Sequence, residues 1–154
     1  MIVSLKYDYR KFNSEPSEAF PRRFSVSRPV IPIQLIKGQH RVKCFAMIDS
    51  GADYCIFQAS LGEIIGFAVE SGKLDHFGGI SGQKQLTAYF HDIQIEVGGH
   101  KFDCWAGFSR DIEDLPCGLL GQLGFFSLFT VRFDYNKERI ELKLKNNASS
   151  GKTH

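Results

Sequence analysis

The sequence lacks a strong charge of either sign, a long apolar run and closely paired cysteines. The net charge of the 154-residue chain is +2 at neutral pH, which gives no reason to expect binding to nucleic acid or to a membrane. No run approaches the roughly 18 consecutive apolar residues of a membrane span. The first residues also lack the basic and apolar blocks of a signal peptide, so we expect a cytoplasmic protein.

The cysteines do not have the spacing of a metal site or a redox motif. They are Cys44, Cys55, Cys104 and Cys117. All four lie among apolar residues and none forms a Cys-x-x-Cys pair, so we interpret them as reduced core residues. A zinc site that combines them with His76, His91 or His100 is disfavoured, because metal-ligand spacing is absent. We expect no metal and no cofactor.

Size and composition are those of one globular domain. The hydrophobic fraction is 43% and the charged fraction 23%, which is typical of a folded chain. We predict a domain over residues 28–145, preceded by an extension of one strand and one loop over residues 1–27. Residues 146–154 are polar, and we expect them to form a disordered tail.

Alternation of apolar and polar residues with a period of two dominates the sequence and indicates strands. The predicted strands cover residues 3–9, 30–36, 41–48, 91–97 and 101–108, with hairpins over 73–90 and 131–144. Short helices are predicted over 60–67 and within 118–128, and Pro32 indicates an edge or a bulge. The fold class should be mainly β, a barrel-like domain with one or two short helices.

The tripeptide Asp49-Ser50-Gly51 is the most informative short motif. It follows the apolar residues 44–48, which predict a buried strand, and Gly51 permits a tight turn. A carboxylate fixed at the end of a buried strand is suited to acid–base chemistry, because burial and a nearby like charge change how readily it holds a proton. The tripeptide by itself also fits an unrelated small β-barrel binding protein, in which Asp49 only caps a turn.

Two further segments follow Asp49-Ser50-Gly51-Ala52-Asp53 in a specific order and spacing. The first, Gly78-Gly79-Ile80-Ser81-Gly82, predicts the tip of a hairpin, and the second is Gly118-Leu119-Leu120-Gly121. With the strand that begins at Arg28-Pro29, these segments resemble the retropepsins, the retroviral-type aspartic proteases and their cellular relatives. The resemblance covers residues 28–144 and implies a closed β-barrel-like fold with a flap hairpin over a peptide cleft.

The resemblance also implies an activity and a set of site residues. The catalytic loop would be Asp49, Ser50 and Gly51, and the substrate-binding residues would be Ala52, Asp53, Gly78, Gly79, Ile80, Ser81 and Gly82. Hydrolysis of a peptide without a metal or a covalent nucleophile needs an activated water and an acid, which two carboxylates sharing one proton supply. The chain holds one Asp-Ser-Gly, so the second Asp49 should come from another copy in a symmetric homodimer. The expected substrate is an extended peptide or a protein.

One position differs from the retroviral pattern. Those enzymes carry Arg after the third segment, paired with an aspartate that corresponds to Asp53, whereas this chain has Gln122. We therefore expect a weaker dimer. A retropepsin-like binding or dimerisation module with little proteolytic activity is the alternative function. The alternating N-terminal strand could add to an exposed sheet edge of the same subunit, of the partner or of the substrate cleft, and we favour the first two. A regulatory pro-segment over residues 1–27 is the alternative.

Overall fold

The computed structural model describes residues 3–78 and 85–145. The strands in these ranges are β1 (Ser4–Asp8), β2 (Arg10–Asn13), β3 (Ser25–Arg28), β4 (Val30–Lys37), β5 (His40–Ile48), β6 (Ile56–Gln58), β7 (Lys73–Phe77), β8 (Leu86–Val97), β9 (His100–Ser109), β10 (Gly118–Leu120), β11 (Phe129–Asp134) and β12 (Arg139–Leu144). Helix α1 spans Ala59–Ile64, and two short 3₁₀ helices span Val69–Ser71 and Arg110–Ile112. This content confirms the prediction of a mainly β domain with a short helix.

Seven strands form one mixed sheet in the order β4-β5-β10-β6-β9-β8-β7. Strand β4 also pairs with β8 through residues 34–36, so the sheet curls until two of its strands meet. Strand β10 runs parallel to β5, and β6 runs parallel to β9. Residues 34–36 of β4 have two partner strands, β5 and β8. Residues 30–33, the first half of β4, pair with β5 and with no second strand among those described. Pro32 lies in that half, as its missing N–H group requires.

The curled sheet encloses the main hydrophobic core. The large side chains that are fully buried there include Phe57, Phe108, Phe125 and Phe129. The rings of Phe125 and Phe129 lie with centroids 5.0 Å apart. Three of the four cysteines are buried and Cys44 is half-buried, as expected of core residues.

The N-terminal strand docks on the terminal hairpin of its own chain. Strand β1 pairs antiparallel with β12, placing Leu5 opposite Leu142 and Tyr7 opposite Ile140. The resulting sheet has the order β1-β12-β11, and both Leu5 and Tyr7 pack against the main core. The predicted addition of this strand to a sheet edge is confirmed, and the edge belongs to the same subunit.

The predicted hairpin over residues 73–90 is also confirmed. Strands β7 and β8 pair from Lys73 opposite Phe90 to Phe77 opposite Leu86, and β8 continues without a break to Val97. Of the predicted flap tip, Gly78 is described, whereas residues 79–82 lie outside the described residues. The predicted tail, residues 146–154, lies outside them as well.

The helix predicted within residues 118–128 is wrong. Residues Gly118–Leu120 form strand β10, which lies between β5 and β6. Leu123 forms an isolated β-bridge with Tyr54, and residues 124–128 form turns. A buried apolar run has the same sequence signature in a short central strand as in a buried helix. Gly124 has φ of +99°, and a side chain there would meet the sulfur of Cys104 at 2.6 Å. This conformation ends any helix at that residue.

In residues 3–78 and 85–145 no helix is long and apolar enough to cross a membrane. Nor do three side chains of His, Cys, Asp or Glu come together there in a group that could hold a metal ion.

Candidate active site

Asp49 directly follows the buried end of β5. Its predecessor Ile48 is buried and pairs with Leu120 of the parallel strand β10. The Asp49 N–H donates to the Leu120 carbonyl oxygen at 3.0 Å. The third sequence segment therefore fixes the backbone of the first, at the residue that carries the carboxylate.

The loop after Asp49 turns back onto the carboxylate. The Gly51 N–H donates to Asp49 Oδ1 at 2.9 Å, and the Ala52 N–H donates to the Asp49 carbonyl oxygen at 3.2 Å. An Asp side chain that binds the backbone two residues later stabilises a tight turn.

Half-buried Asp49 lines a cleft of about 330 Å³. The cleft is bordered by the loop after β5, by the β7–β8 hairpin and by the segment after β9. The lining residues are Asp49, Gly51, Ala52, Asp53, Tyr54, Ile56, His76, Phe77, Gly78, Leu86, Ile112, Leu115 and Leu119. Most of these side chains are apolar or aromatic, so the cleft combines a carboxylate with walls suited to apolar groups.

Of the six predicted site residues that the structure describes, five lie together at one cleft. Asp49, Gly51, Ala52, Asp53 and Gly78 all line the cleft. Ser50 is exposed and is not among the lining residues. Gly79, Ile80, Ser81 and Gly82 lie outside the described residues. The first segment and Gly78, the described residue of the second, therefore meet at one cleft, and Leu119 of the third contributes to its wall.

Sequence reasoning did not assign the remaining lining residues to the site, namely Tyr54, Ile56, His76, Phe77, Leu86, Ile112, Leu115 and Leu119. Tyr54 and His76 reach it from the loop after Asp53 and from β7, and Ile112 and Leu115 come from the loop after β9. The sequence of that loop is polar overall because it contains several acidic residues. Its two apolar side chains, spaced three apart in an otherwise polar segment, are the signal that could have revealed them.

A tyrosine–carboxylate contact borders the cleft. The Tyr54 hydroxyl donates to Asp75 Oδ2 at 3.4 Å. Burial raises the pKa of Tyr54, and the charge of Asp75 adds to the rise. The hydroxyl therefore remains a hydrogen-bond donor throughout the pH range in which carboxylates and histidines titrate.

Ion pairs anchor the loop that supplies Ile112 and Leu115. The Arg110 guanidinium bonds Glu63 at 2.6 Å and Glu70 at 2.5 Å, and the hydrogen bond from Arg110 lowers the pKa of Glu70. Single exposed pairs contribute little to stability. Here one guanidinium ties the loop both to α1 and to the 3₁₀ helix after it, which fixes one side of the cleft.

A larger hollow of about 480 Å³ lies against β4 and β5, but its groups do not suit hydrolysis. Its lining includes Lys43, Cys44 and Glu96. Glu96 is paired with Arg41 at 2.9 Å, and burial raises the pKa of the Cys44 thiol to about 12. A neutralised carboxylate and a protonated thiol are poor bases and nucleophiles, so we assign the candidate active site to the cleft at Asp49.

Comparison with known proteins identifies the fold. No protein-family model matches the chain, and no match was found among curated proteins. The chain is similar to the crystal structure of a retropepsin-like aspartic protease from Rickettsia conorii, at 14% identity and a TM-score of 0.58, over 94% of this chain and 92% of that one. It also matches the EIAV protease complexed with the inhibitor HBY-793, at 16% identity and a TM-score of 0.44, over 62% of this chain and 82% of that one.

The similarity to the Rickettsia protein spans nearly the whole of both chains. The protein therefore has a retropepsin-like fold, which confirms the fold predicted from the three sequence segments. A fold by itself does not define an activity.

Proposed function

We propose that the protein is an aspartic endopeptidase in which the Asp49 carboxylates of two subunits activate a water molecule between them. The observation that carries the proposal is the placement of Asp49. Its carboxylate is tied to the Gly51 N–H at 2.9 Å and lines a cleft of about 330 Å³ in a retropepsin-like fold. The catalytic loop is Asp49, Ser50 and Gly51.

The chemistry requires two carboxylates that share one proton, because two like charges about 3 Å apart cannot both ionise. The ionised carboxylate takes a proton from the water, and the water oxygen attacks the peptide carbonyl carbon. The protonated carboxyl gives its proton to the carbonyl oxygen. Collapse of the tetrahedral intermediate then breaks the C–N bond. The carboxyl that took the proton from the water gives it to the leaving nitrogen, and the other carboxylate takes a proton back from a hydroxyl of the intermediate.

The need for two such aspartates supports a homodimer. The sequence contains one Asp-Ser-Gly, and a symmetric dimer places the same loop of each subunit on a common twofold axis. Asp53 lies on the same loop as Asp49 and serves instead as part of the substrate-binding wall, with Ala52 and Gly78.

The walls of the cleft support a peptide substrate with apolar side chains. Phe77, Leu86, Ile112, Leu115 and Leu119 line it, and no Lys or Arg is among the lining residues within the described ranges 3–78 and 85–145. An extended peptide can bind with its main chain along such a cleft and its alternate side chains in the pockets. The β7–β8 hairpin, with its tip at residues 78–82, is the proposed flap that closes over the peptide and excludes water.

The test is the hydrolysis of a mixture of unstructured peptides, followed by mass spectrometry between pH 3 and 7. Asp49→Asn removes the base and keeps the shape, and we expect it to lower kcat/KM by at least about a thousandfold, or about 4 kcal/mol in the barrier. Asp92→Asn is the matched control, because Asp92 is exposed on β8 and does not line the cleft. Its activity should equal that of the wild type.

Dilution tests the shared site in the same assay. Specific activity should fall in parallel with the dimer fraction measured by sedimentation, since a monomer holds half of the proposed dyad. A monomer with full specific activity would contradict the shared site. A folded, dimeric wild type that cleaves no peptide would instead favour the binding or dimerisation module.

A further inference from the structure

The side chain of Gln122 bonds the loop that carries Asp49. Its Nε2 donates to the Ser50 carbonyl oxygen at 2.7 Å, and its backbone N–H donates to the Ala52 carbonyl oxygen at 2.8 Å. One residue thus holds two carbonyl groups on either side of Gly51. Gln122 is exposed and does not line the cleft, so it contacts the loop from outside the cleft.

Gln122 is itself anchored to the core. Its carbonyl oxygen accepts from the Ser127 N–H at 3.0 Å, and the preceding Gly121 carbonyl accepts from the Phe126 N–H at 3.2 Å. The turn between them contains Phe125, which is fully buried. The side-chain amide of Gln122 therefore connects the Asp49 loop to the turn around buried Phe125. It does so without a formal charge.

The bond to Ser50 has a consequence for the carboxylate, because the Ser50 carbonyl and the Gly51 N–H belong to one planar peptide group. A donor that fixes the carbonyl oxygen also fixes the direction of the N–H on the other side of the plane. That N–H is the group that donates to Asp49 Oδ1 at 2.9 Å. A hydrogen bond to the carbonyl also polarises the peptide and strengthens its N–H as a donor.

We propose that Gln122 is a positioning residue, which orients the Ser50–Gly51 peptide so that its N–H holds the Asp49 carboxylate in place for catalysis. This inference rests on the proposed function in that the oriented group is the proposed catalytic one. The bond is an amide–carbonyl bond, so its effect does not depend on ionic strength as that of an ion pair does.

Two substitutions separate the hydrogen bond from the bulk of the side chain. Gln122→Met keeps the length and removes the donor, and we expect kcat to fall about 10- to 100-fold with KM little changed. Gln122→Glu places an acceptor against the Ser50 carbonyl. A carboxyl regains a donor when it is protonated, so the rate of this variant relative to wild type should rise as the pH falls through about 4.3. The other titratable groups of the cleft, Asp53, Tyr54 and His76, are the same in all three proteins.

Gln94→Met is the matched control, since Gln94 is an exposed glutamine on β8 whose Nε2 donates to Asp103 at 3.3 Å, away from the cleft. It should leave kcat and KM at their wild-type values. Thermal unfolding of each variant shows whether the protein remains folded at the assay temperature.

The amide resonance of Gly51 gives a readout that does not depend on activity. In Gln122→Met its proton should shift upfield as the bond to Asp49 weakens, whereas the Gly107 amide, which bonds the Cys55 carbonyl at 2.9 Å, should stay unchanged. If wild type proves to have no peptidase activity, the proposed function fails and this shift still decides the positioning role. An unmoved Gly51 resonance, wild-type kcat in Gln122→Met, or a Gln122→Glu rate ratio that is flat with pH would each overturn the proposal.

Discussion

Replacing Gly121 with alanine should separate the two chain segments that build the candidate active site. A Cβ at this position would lie 2.6 Å from the Ala52 carbonyl oxygen and still closer to the carbonyl oxygen of Tyr54. Both are backbone atoms of the segment that continues the Asp49 loop, so they cannot rotate away as a side chain could. Gly121 directly follows β10, and its Cα hydrogens therefore face the backbone of this segment at close range.

The size of the effect follows from the contact. Relief of the clash has to move the backbone by about half an ångström or more, and overpacking of this kind costs about 3 kcal/mol. The shift also strains the bond from the Gln122 N–H to the Ala52 carbonyl, at present 2.8 Å long. For a chain of this size, 1 kcal/mol corresponds to about 2–4 °C in Tm, so Tm should fall by about 6–12 °C.

Gly99→Ala is the comparison that separates contact from backbone strain. Gly99 has φ of +84°, but no atom lies within 4 Å of an added Cβ. The strain of a left-handed residue costs about 1 kcal/mol, which predicts a fall in Tm of about 2–4 °C. Calorimetry of both variants decides the matter. If Gly121→Ala destabilises the protein no more than Gly99→Ala does, the close contact between Gly121 and the backbone of residues 52–54 is contradicted.

Two further predictions concern the cysteines and the N-terminal strand. Burial raises the pKa of Cys44 to about 12 from 9.0, so at pH 8 its thiolate fraction should be about a thousandfold below that of an ordinary thiol. Alkylation of the native protein should therefore be slow and should accelerate with pH, and fast labelling of Cys44 at pH 8 would contradict its burial. Deletion of residues 1–8 removes Leu5 and Tyr7 from the edge of β12. Each such side chain contributes about 1.5–3 kcal/mol when it is fully buried. The deletion should therefore lower Tm by several degrees. Higher activity at unchanged Tm would instead make this stretch inhibitory.

Local patterns in the sequence predicted most of the strands. Alternation over residues 41–48 and 101–108 marks β5 and β9, because one face of each strand is buried and the other is more exposed. The same alternation at the N-terminus predicted β1. The predicted strands over residues 91–97 and 101–108 leave a short turn between them, where Gly98 and Gly99 both have positive φ, a conformation that glycine adopts without strain.

The pattern failed where long-range packing decides the conformation. Residues 118–128 are apolar in either a strand or a helix, and neighbouring strands β5 and β6 determine that Gly118–Leu120 is a strand. The closure of the sheet through β4 and β8, and the pairing of β1 with β12 of the same chain, also depend on strands far apart in the sequence. No local preference encodes such a choice of partner.

For the candidate active site, the sequence by itself determined the chemical groups and the local turn. Asp49 follows a buried strand and precedes a glycine, and this is enough to predict a carboxylate held at a tight turn. Only the tertiary structure decided what surrounds it. The wall residues Ile112 and Leu115, and the bond from Gln122 to the Ser50 carbonyl, come from segments more than 60 residues away along the chain. Contacts between such distant residues form only when the whole sheet has closed, so their identity is a property of the fold and not of any one segment.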